Sequence, residues 1–428
     1  MRYCHHCVKN KRKITYTAFL AVVSLLLTEP VVRLVRPQKQ LVRSYMAIDP
    51  ELGPVHRPHS DYTDRRGKER WGYAYDVHIN DLGLRMPEDV RTSSADERIL
   101  MLGNSVVFGW GNNLKNSFYG RLYEHFRRQD VLMLNGGHGT YSTGHARKFA
   151  TQLLTKTSVN GIICFVSMGD MIHNLETDPD YRVYDYRIDD SGRTTFTPRK
   201  VFPTWKRFLL TETPYNWLNQ HSHAFVFAKE FLKKGMKGAE NALENAGRVA
   251  ENDTPAPVKE QAAAATGDGS NAGFSERIQV EYGRKWEEAK VEKAWHVTRA
   301  HLRKLQELCR DHHAVLMIAW LPASYEILNR TPPQVRMLKY RFRSEFGHNF
   351  VDKTGAWREK ARGISRKDLY YGDGHWTSLA NQMFAELLTP SIKRMIVRSR
   401  NLAAKPQKNV TLADTGSEQT GKKEQQNQ

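Results

Sequence analysis

Short apolar runs alternate with amphipathic helical patterns, and this alternation constrains the fold more than any other feature of the chain. The runs 98–103 (RILMLG), 131–137 (VLMLNGG) and 161–169 (GIICFVSMG) read as buried strands, and the segments 117–129 and 145–154 between them have helical periodicity. Short apolar strands separated by helices form parallel βαβ units, whose sheet is covered on both faces. The sequence therefore predicts an α/β fold with three layers and a doubly wound parallel sheet.

The same pattern continues in the second half of the chain. A long helix, two further strands and a last helix are predicted at 286–309, 314–322, 349–352 and from 378 onward. The segment 237–275 is rich in Ala, Gly, Asn and Glu and has almost no large apolar side chain, which favours a flexible insertion. We expect one domain over 60–398, interrupted by this insertion and followed by a disordered polar tail over 399–428.

The N-terminus has the layout of a secretory signal or a signal anchor. A basic segment without acids, MRYCHHCVKNKRK, precedes the apolar run ITYTAFLAVVSLLL at 14–27. That run reaches the roughly 20 residues of a membrane span only if it includes Glu29 and Pro30. We expect an uncleaved anchor over 1–36 with the bulk of the chain outside the cytoplasm, periplasmic or at the cell surface. Cleavage, which would give a secreted protein, is the alternative.

Net charge and cysteine content limit the partners. The formal net charge of +19 favours anionic partners such as phospholipid or acidic polysaccharide, and no zinc-finger, RNP-like or phosphate-loop motif points to nucleic acid. Cys164 and Cys309 fall in apolar patterns and read as buried thiols. Cys4 and Cys7 supply half of a zinc site at most. We therefore expect no metal, no cofactor and no nucleic acid.

Polar residues follow the ends of predicted strands, where reactive groups of parallel sheets lie. Ser105 and Asp170 are in such positions, and Asn135 is read as part of a turn. Far away, in DGHWTS, Asp373 and His375 flank a glycine just before the last helix. An Asp can orient a His and stabilise its imidazolium, and the His can take a proton from a serine. A D-x-H pair alone is weak evidence, since solvated loops and helix caps contain it too.

Four blocks in the expected order resemble the SGNH/GDSL hydrolases, a resemblance that implies an SGNH/flavodoxin-like fold. The blocks are ILMLGNSVVFGWG (99–111), LNGGHGTYSTGHA (134–146), FVSMGDMIHN (165–174) and YGDGHWTSLANQMFAELL (371–388). The lead-in HINDLGLRMPED (78–89) resembles that of bacterial members associated with envelope polysaccharide. The D-x-H-W form is similar to alginate-type O-acetyltransferases.

The resemblance implies a role for each matching residue. Ser105 would attack an ester carbonyl, His375 would be the general base and then the acid, and Asp373 would orient it. The oxyanion would be held by the backbone N–H of Ser105 and by a donor of the second block, at Gly139 or Thr140.

Two positions depart from the family pattern. Asn104 stands where the first block has Asp, and Gly169 stands where the third block has an asparagine that donates to the oxyanion. Asn174 and His173 are candidates to replace that donor. Asn104 and Asp170, together with His138 and Trp376, are further candidates for the pocket. The ordinary alternatives are a helix cap for Asp170, a solvated loop for His138 and packing for Trp376.

These observations predict an SGNH-type serine esterase acting on acyl esters, most simply acetyl esters, of an envelope carbohydrate or lipid. Two alternatives stay open: an O-acetyltransferase of an exopolysaccharide, and a non-catalytic SGNH-fold protein that binds or assembles polysaccharide. Gly169 favours the non-catalytic alternative, whereas the presence of Ser105, Asp373 and His375 together favours an enzyme.

Overall fold

The computed structural model describes residues 46–65, 68–95, 97–176, 183–199, 287–328 and 331–404, together with parts of 16–35 and of 215–232. The strands are β1 Met46–Asp49, β2 Gly53–His56, β3 Ser60–Asp64, β4 Tyr75–Ile79, β5 Glu97–Gly103, β6 Val131–Gly137, β7 Gly161–Val166, β8 Tyr184–Ile188, β9 Thr194–Pro198, β10 Val315–Trp320 and β11 Phe350–Val351. The helices are α1 Lys68–Trp71, α2 Ser105–Phe108, α3 Phe118–Arg127, α4 Thr143–Leu154, α5 Met168–His173, α6 Glu288–Asp311, α7 Ser324–Leu328, α8 Pro333–Phe346, α9 Thr354–Lys360, α10 Arg366–Leu369 and α11 Ser378–Ala403.

Five parallel strands form the central sheet in the order β11-β10-β7-β5-β6, so the predicted parallel α/β sheet is confirmed. The residues of β5, β6 and β7 are almost all fully buried, as expected for a sheet covered on both faces. From β5 the chain goes to its neighbour β6 and then crosses back over β5 to β7. The direction of winding therefore reverses beside β5, and the carboxyl end of β5 is where ligands bind in such sheets.

Two pairs of helices cover the sheet. Helices α3 and α11 pack on each other and contact β6, β7 and β10, whereas α4 and α6 pack on each other and contact β5, β7 and β10. A right-handed crossover from β5 to β6 and one in the opposite direction from β6 to β7 put their helices on opposite faces. The core between the three layers is one continuous apolar cluster.

Two antiparallel hairpins, β1–β2 and β3–β4, precede the sheet and were not predicted. Strand β4 alternates buried and exposed residues, which is the period of a strand with one covered face. Its buried face forms a second apolar cluster with the residue that ends α2; the cluster comprises Tyr73, Tyr75, Val77, Ile79 and Phe108. This aromatic cluster places residues of 73–79 next to the carboxyl end of β5.

Several predictions concern the ends of the chain and the insertion. The insertion at 237–275 lies outside the described residues, as do 405–428, but the last helix continues to Ala403, beyond the boundary expected at 399. Most of the apolar run 14–27 is also outside them. Within the part of the chain that the structure describes, no helix combines the length and apolarity needed to cross a bilayer. Cys164 and Cys309 are buried free thiols, as predicted.

Candidate active site

The turn after β5 carries Ser105 at the start of a short helix. The strand ends at Gly103, and Asn104 caps the short helix α2 by accepting a hydrogen bond from the backbone N–H of Val106. The helix ends after one turn at Gly109, whose φ of +85° is a conformation that L side chains rarely adopt. Ser105 is therefore the first residue of a helix at the carboxyl end of a buried strand.

A buried arginine fixes the segment that follows. Arg85 donates from Nη1 to the carbonyls of Phe108 and Gly109, both at 2.8 Å, and from Nη2 to those of Asp76 (2.7 Å) and Asn112 (2.8 Å). Arg85 is 0% exposed. All four carbonyls accept from Nη1 and Nη2, so Arg85 fastens hairpin β3–β4 to the segment that follows Ser105.

A tight turn between α10 and α11 carries Asp373 and His375. The N–H of Tyr371 donates to the carbonyl of His375 (2.8 Å), and Gly374, with a φ of +85°, donates to the carbonyl of Tyr371 (2.9 Å). The N–H of His375 donates to Asp373 Oδ1 at 3.2 Å. This closed turn explains why the glycine stands between the two residues: it brings carboxylate and imidazole to the same side.

The structure brings the three side chains together. His375 Nε2 lies 2.9 Å from Ser105 Oγ, although the residues are 270 positions apart in the chain. On the other side of the ring, His375 Nδ1 is at an ion-pair distance of 2.9 Å from Asp373 Oδ2. The His375 side chain is 23% exposed and that of Asp373 is 9% exposed. Ser105 can thus give its proton to a histidine that a nearly buried carboxylate holds.

The environment keeps Asp373 charged. Burial raises the pKa of its carboxyl, but the hydrogen bonds and the charge of His375, together with a hydrogen bond from Tyr73, outweigh burial and lower the pKa below its usual value. An ionised carboxylate here stabilises the imidazolium that forms when His375 accepts a proton.

Hydrogen bonds join two segments at the site that are distant in the sequence. Asn112, just after the turn that carries Ser105, donates to the carbonyl of Trp376 at 2.8 Å. Asn381, in the first turn of α11, accepts from the N–H of Phe118 at 2.9 Å and donates to the same Trp376 carbonyl at 3.1 Å. All the polar partners are buried side chains or backbone groups. These buried hydrogen bonds fix the position of the His375 turn relative to Ser105.

No family model and no curated protein match this chain. Among solved structures the chain is similar to TesA, with 9% identity and a TM-score of 0.33 over 70% of this chain and 99% of that one. It is similar to the psychrotrophic esterase EstA from Pseudoalteromonas sp., with 10% identity and a TM-score of 0.34 over 71% and 100% of the two chains. A third match is LAE5, an alpha/beta hydrolase enzyme from the metagenome of Lake Arreo, Spain, with 9% identity and a TM-score of 0.35 over 70% and 97%. At these identities and TM-scores the matches carry no conclusion about activity.

The second of the four blocks, residues 134–146, lies beside the turn that carries Ser105. His138 follows β6, and its N–H donates to the carbonyl of Gly103 at 2.9 Å, so the 138–140 turn is placed next to the end of β5. The N–H of Thr140 is directed to His138 Nδ1 at 3.3 Å. Of the two backbone donors expected here, Thr140 is therefore engaged, and Gly139 is the better candidate for an oxyanion. Asn135, expected in a turn, lies inside β6 and accepts a hydrogen bond from Gly137.

His138 itself is a packed residue and not a solvated loop histidine. It is buried, and its ring stacks on Tyr141 with the centroids 4.2 Å apart and tilts against His56 at 4.5 Å. Its ring thus supports the second-block turn.

Asn174 is not a substitute for the missing third-block donor. Both hydrogens of its amide are used within the core, because Nδ2 donates to Thr143 Oγ1 (2.6 Å) and to Thr298 Oγ1 (3.0 Å), while Oδ1 accepts from the N–H of Gly144 (3.1 Å). An amide with no remaining hydrogen cannot stabilise an oxyanion. This prediction was wrong, and the reason is a buried partner set that only the packing of α4 and α6 creates.

Asp170 caps its own helix and holds the first block. The carboxylate accepts hydrogen bonds from the Ser167 N–H (2.7 Å) and Ser167 Oγ (2.8 Å), which completes a capping box at the start of α5. The amide of Asn104 donates to the same carboxylate. Burial raises the pKa of Asp170, against the opposing effects of His173 and these donors. Asn104 and Asp170 thus connect the first and third blocks behind Ser105.

The two tryptophans of the blocks differ in their roles. Trp376 is buried in the core against Trp357 (4.5 Å between centroids) and Phe384 (4.9 Å), so it is not a pocket wall. Trp110 is partly exposed, and its ring stacks on that of His375 at 5.8 Å with an interplanar angle of 23°. Trp110 therefore borders the cluster of Ser105, His375 and Asp373 directly.

Tyr73 belongs to the site and was missed from the sequence. Its hydroxyl donates to Asp373 Oδ2 at 2.5 Å, across 300 positions of the chain. The alternation of Tyr73, Tyr75, Val77 and Ile79 with polar residues is the signal that marks this segment as a strand with one buried face. Nothing in that alternation indicates which carboxylate the tyrosine meets.

Proposed function

We propose that this chain is an SGNH-type serine esterase. The observation that carries the proposal is the 2.9 Å contact between Ser105 Oγ and His375 Nε2, with Asp373 on the other nitrogen of the ring. A hydroxyl, an imidazole and a carboxylate in this order of contacts can activate the hydroxyl as a nucleophile at a carbonyl carbon.

The reaction proceeds in two halves. Ser105 Oγ bonds to the ester carbonyl carbon while its proton passes to His375 Nε2. The tetrahedral oxyanion accepts hydrogen bonds from the N–H of Ser105, which a helix leaves without an internal partner, and from that of Gly139. The imidazolium then protonates the departing alkoxide, and the alcohol leaves. Water, deprotonated by His375, attacks the acyl-enzyme, and the acid is released with Ser105 restored.

The proposed substrate is an acyl ester, most simply an acetyl ester, of an envelope carbohydrate or lipid. The lead-in block and the D-x-H-W form support it through their resemblance to polysaccharide-modifying members. The partly exposed ring of Trp110 beside His375 supports it as well, because an aromatic face suits a sugar ring or an acyl chain. O-acetyl transfer uses the same acyl-enzyme and differs only in that an acceptor hydroxyl takes the place of water.

We also propose that the N-terminal segment associates with a membrane and that the esterase domain lies outside the cytoplasm. Supporting observations are the basic residues before 14 and the exposed apolar side chains of 27–35, where Leu27 is 70% and Leu34 84% exposed. Flotation with vesicles of phosphatidylglycerol and phosphatidylcholine tests the association. Flotation of the full chain but not of a chain lacking 1–36 supports it, and equal behaviour of the two contradicts it.

Turnover of p-nitrophenyl acetate tests the activity. We expect the wild type to release p-nitrophenol above background and the Ser105→Ala variant to fall to background. Ser191→Ala, an exposed serine in the turn between β8 and β9, is the matched control and should keep full activity. Equal rates for wild type and Ser105→Ala would overturn the esterase proposal and leave the binding or assembly protein as the better account.

A covalent probe gives a second test that does not depend on the natural substrate. A p-nitrophenyl alkylphosphonate should lose p-nitrophenol to the Ser105 hydroxyl and leave one phosphonyl group on that residue, which peptide mass spectrometry locates. Labelling elsewhere, or none, contradicts the assignment of the nucleophile. Acetate that moves to an added oligosaccharide, instead of appearing free, would assign transfer rather than hydrolysis.

A further inference from the structure

Tyr73 connects hairpin β3–β4 to the acid of the proposed triad. Its hydroxyl donates to Asp373 Oδ2, the same oxygen that faces His375 Nδ1. Asp373 Oδ1 accepts the N–H of His375. The carboxylate is therefore held at both oxygens, and among the residues that the structure describes, Tyr73 is the one outside the 371–375 turn that donates to it.

The tyrosine is itself fixed by the nucleophile segment. Trp110 Nε1 donates to the Tyr73 hydroxyl at 3.0 Å, and the Trp110 ring stacks on the His375 ring. Trp110 stands five positions after Ser105. The contacts thus form a closed ring from Ser105 through His375, Asp373 and Tyr73 to Trp110 and back along the chain.

Burial of Tyr73 keeps its hydroxyl protonated. Tyr73 is 5% exposed. Burial raises its pKa far above the usual range, and the hydrogen bond and charge of Asp373, with a smaller effect of Asp64, act in the same direction. Burial raises the pKa of Tyr371 as well, and the charge of Asp373 acts in the same direction. Tyr73 therefore remains a donor to Asp373 throughout the pH range of the reaction.

We propose that Tyr73 is a positioning residue of the catalytic triad. Tyr73 fixes the Asp373 carboxylate, and this carboxylate orients His375 and stabilises its protonated form when it takes the proton of Ser105. The inference rests on the proposed esterase function. A neutral hydroxyl that donates to Asp373 disperses part of the carboxylate charge, and it also restrains rotation of the carboxylate away from His375 Nδ1.

Steady-state kinetics of Tyr73→Phe in the full chain test the proposal. With p-nitrophenyl acetate we expect kcat to fall about tenfold, KM to stay unchanged and the acid limb of the kcat/KM profile to move to higher pH. Without the hydrogen bond from Tyr73, the Asp373 carboxylate binds a proton more strongly, and its charge also stabilises the protonated form of His375 more strongly. Both effects move the acid limb to higher pH. Tyr75→Phe is the matched control, a buried tyrosine of the same aromatic cluster two positions away, and should leave kcat and the pH profile unchanged.

A double-mutant cycle separates positioning from a general loss of structure. If Tyr73 acts through Asp373, Tyr73→Phe should cost almost nothing in kcat when Asp373 is already Asn, whereas a merely structural effect would multiply the two losses. Multiplied losses, or an unaltered kcat and acid limb in the single variant, would overturn the inference. Ester turnover that does not depend on Ser105 would instead overturn the proposed function, and the role of Tyr73 with it.

Discussion

The amide of Asn104 donates to both carboxylate oxygens of Asp170, at 2.9 and 3.1 Å. Asn104 precedes the proposed nucleophile and caps its helix, so this pair joins the carboxyl ends of β5 and β7 where the sheet reverses its winding. The SGNH first block usually has Asp at this position. Here the partner is already a buried carboxylate, and an amide is the side chain of this size that can donate to it.

Restoring the family residue should therefore damage this chain. Asn104→Asp places two carboxylates in contact, and we expect the free energy of unfolding to fall by about 2–4 kcal/mol at neutral pH. The raised pKa of Asp170 would rise further, so the folded state binds more protons than the unfolded one and stability declines as pH increases through that pKa. Urea unfolding at about pH 5 and pH 8 measures this.

The control for that variant is Asn401→Asp, an exposed position near the end of α11, where no comparable loss is expected. A stability of Asn104→Asp that equals the wild-type value at pH 8 would show that the pair is not a donor–acceptor contact.

Gly169→Asn should raise esterase activity. A Cβ at Gly169 would find its nearest neighbour, Ser167 Oγ, at 3.5 Å, and the backbone there is not in the left-handed region, so a side chain is accommodated. An asparagine at this third-block position would supply the amide donor that Asn174 cannot. Since one oxyanion donor is typically worth roughly 10²–10³ in rate, we expect kcat to increase about tenfold or more. Gly169→Ala, which adds a side chain without a donor, should not; equal rates for both variants would refute the prediction.

Asp373→Asn should lower kcat by about 10²–10⁴, because an amide no longer stabilises the imidazolium of His375. It should also change acid stability. The pKa of Asp373 is lowered in the folded state, so its contribution to stability is complete above the unfolded pKa of about 3.9 and is lost as pH falls through the lower folded value. Melting temperatures of the variant should thus decline less than those of the wild type between about pH 5 and pH 2. Asp311→Asn, an exposed aspartate at the end of α6, should behave as the wild type does.

Arg85→Lys should destabilise the domain by about 2–4 kcal/mol, because one ammonium cannot reach the four carbonyls that the planar guanidinium satisfies. The nucleophile turn loses its fastening, so the rate of phosphonate labelling at Ser105 should fall as well. Arg91→Lys, whose side chain is 76% exposed, is the control. Denaturant unfolding of both variants measures the difference in stability. Similar midpoints for the two would mean that the buried contacts of Arg85 add no stability.

Local sequence was sufficient for the strands and for the order of the blocks. The strand predicted at 131–137 is observed with those bounds, and 98–103 differs from the observed strand by one residue. Continuous apolar runs of this length, alternating with amphipathic helical segments, are typical of parallel strands buried on both faces of a sheet. The proximity of Ser105 to the Asp373–His375 turn was expected from the chemistry of a serine–histidine–acid set and from the resemblance of the four blocks, and the distances agree with that expectation.

Hydrogen bonds between residues of different secondary-structure elements could not be predicted from the sequence in the same way. Tyr73 and Arg85 act on the turn after β5 because two antiparallel hairpins fold over it, and their sequence pattern shows only a strand with one covered face. Asn174 lost its expected role because threonines of α4 and α6 take its hydrogens.

The sequence by itself determined that this chain forms a parallel α/β sheet and which residue types stand at its reactive edge, since periodicity and strand ends are properties of neighbouring residues. Only the tertiary structure decided which buried donor meets which carboxylate or carbonyl. Those pairings join positions up to 300 apart, and they are selected by the cost of leaving any buried polar group unsatisfied, which depends on everything that packs around it.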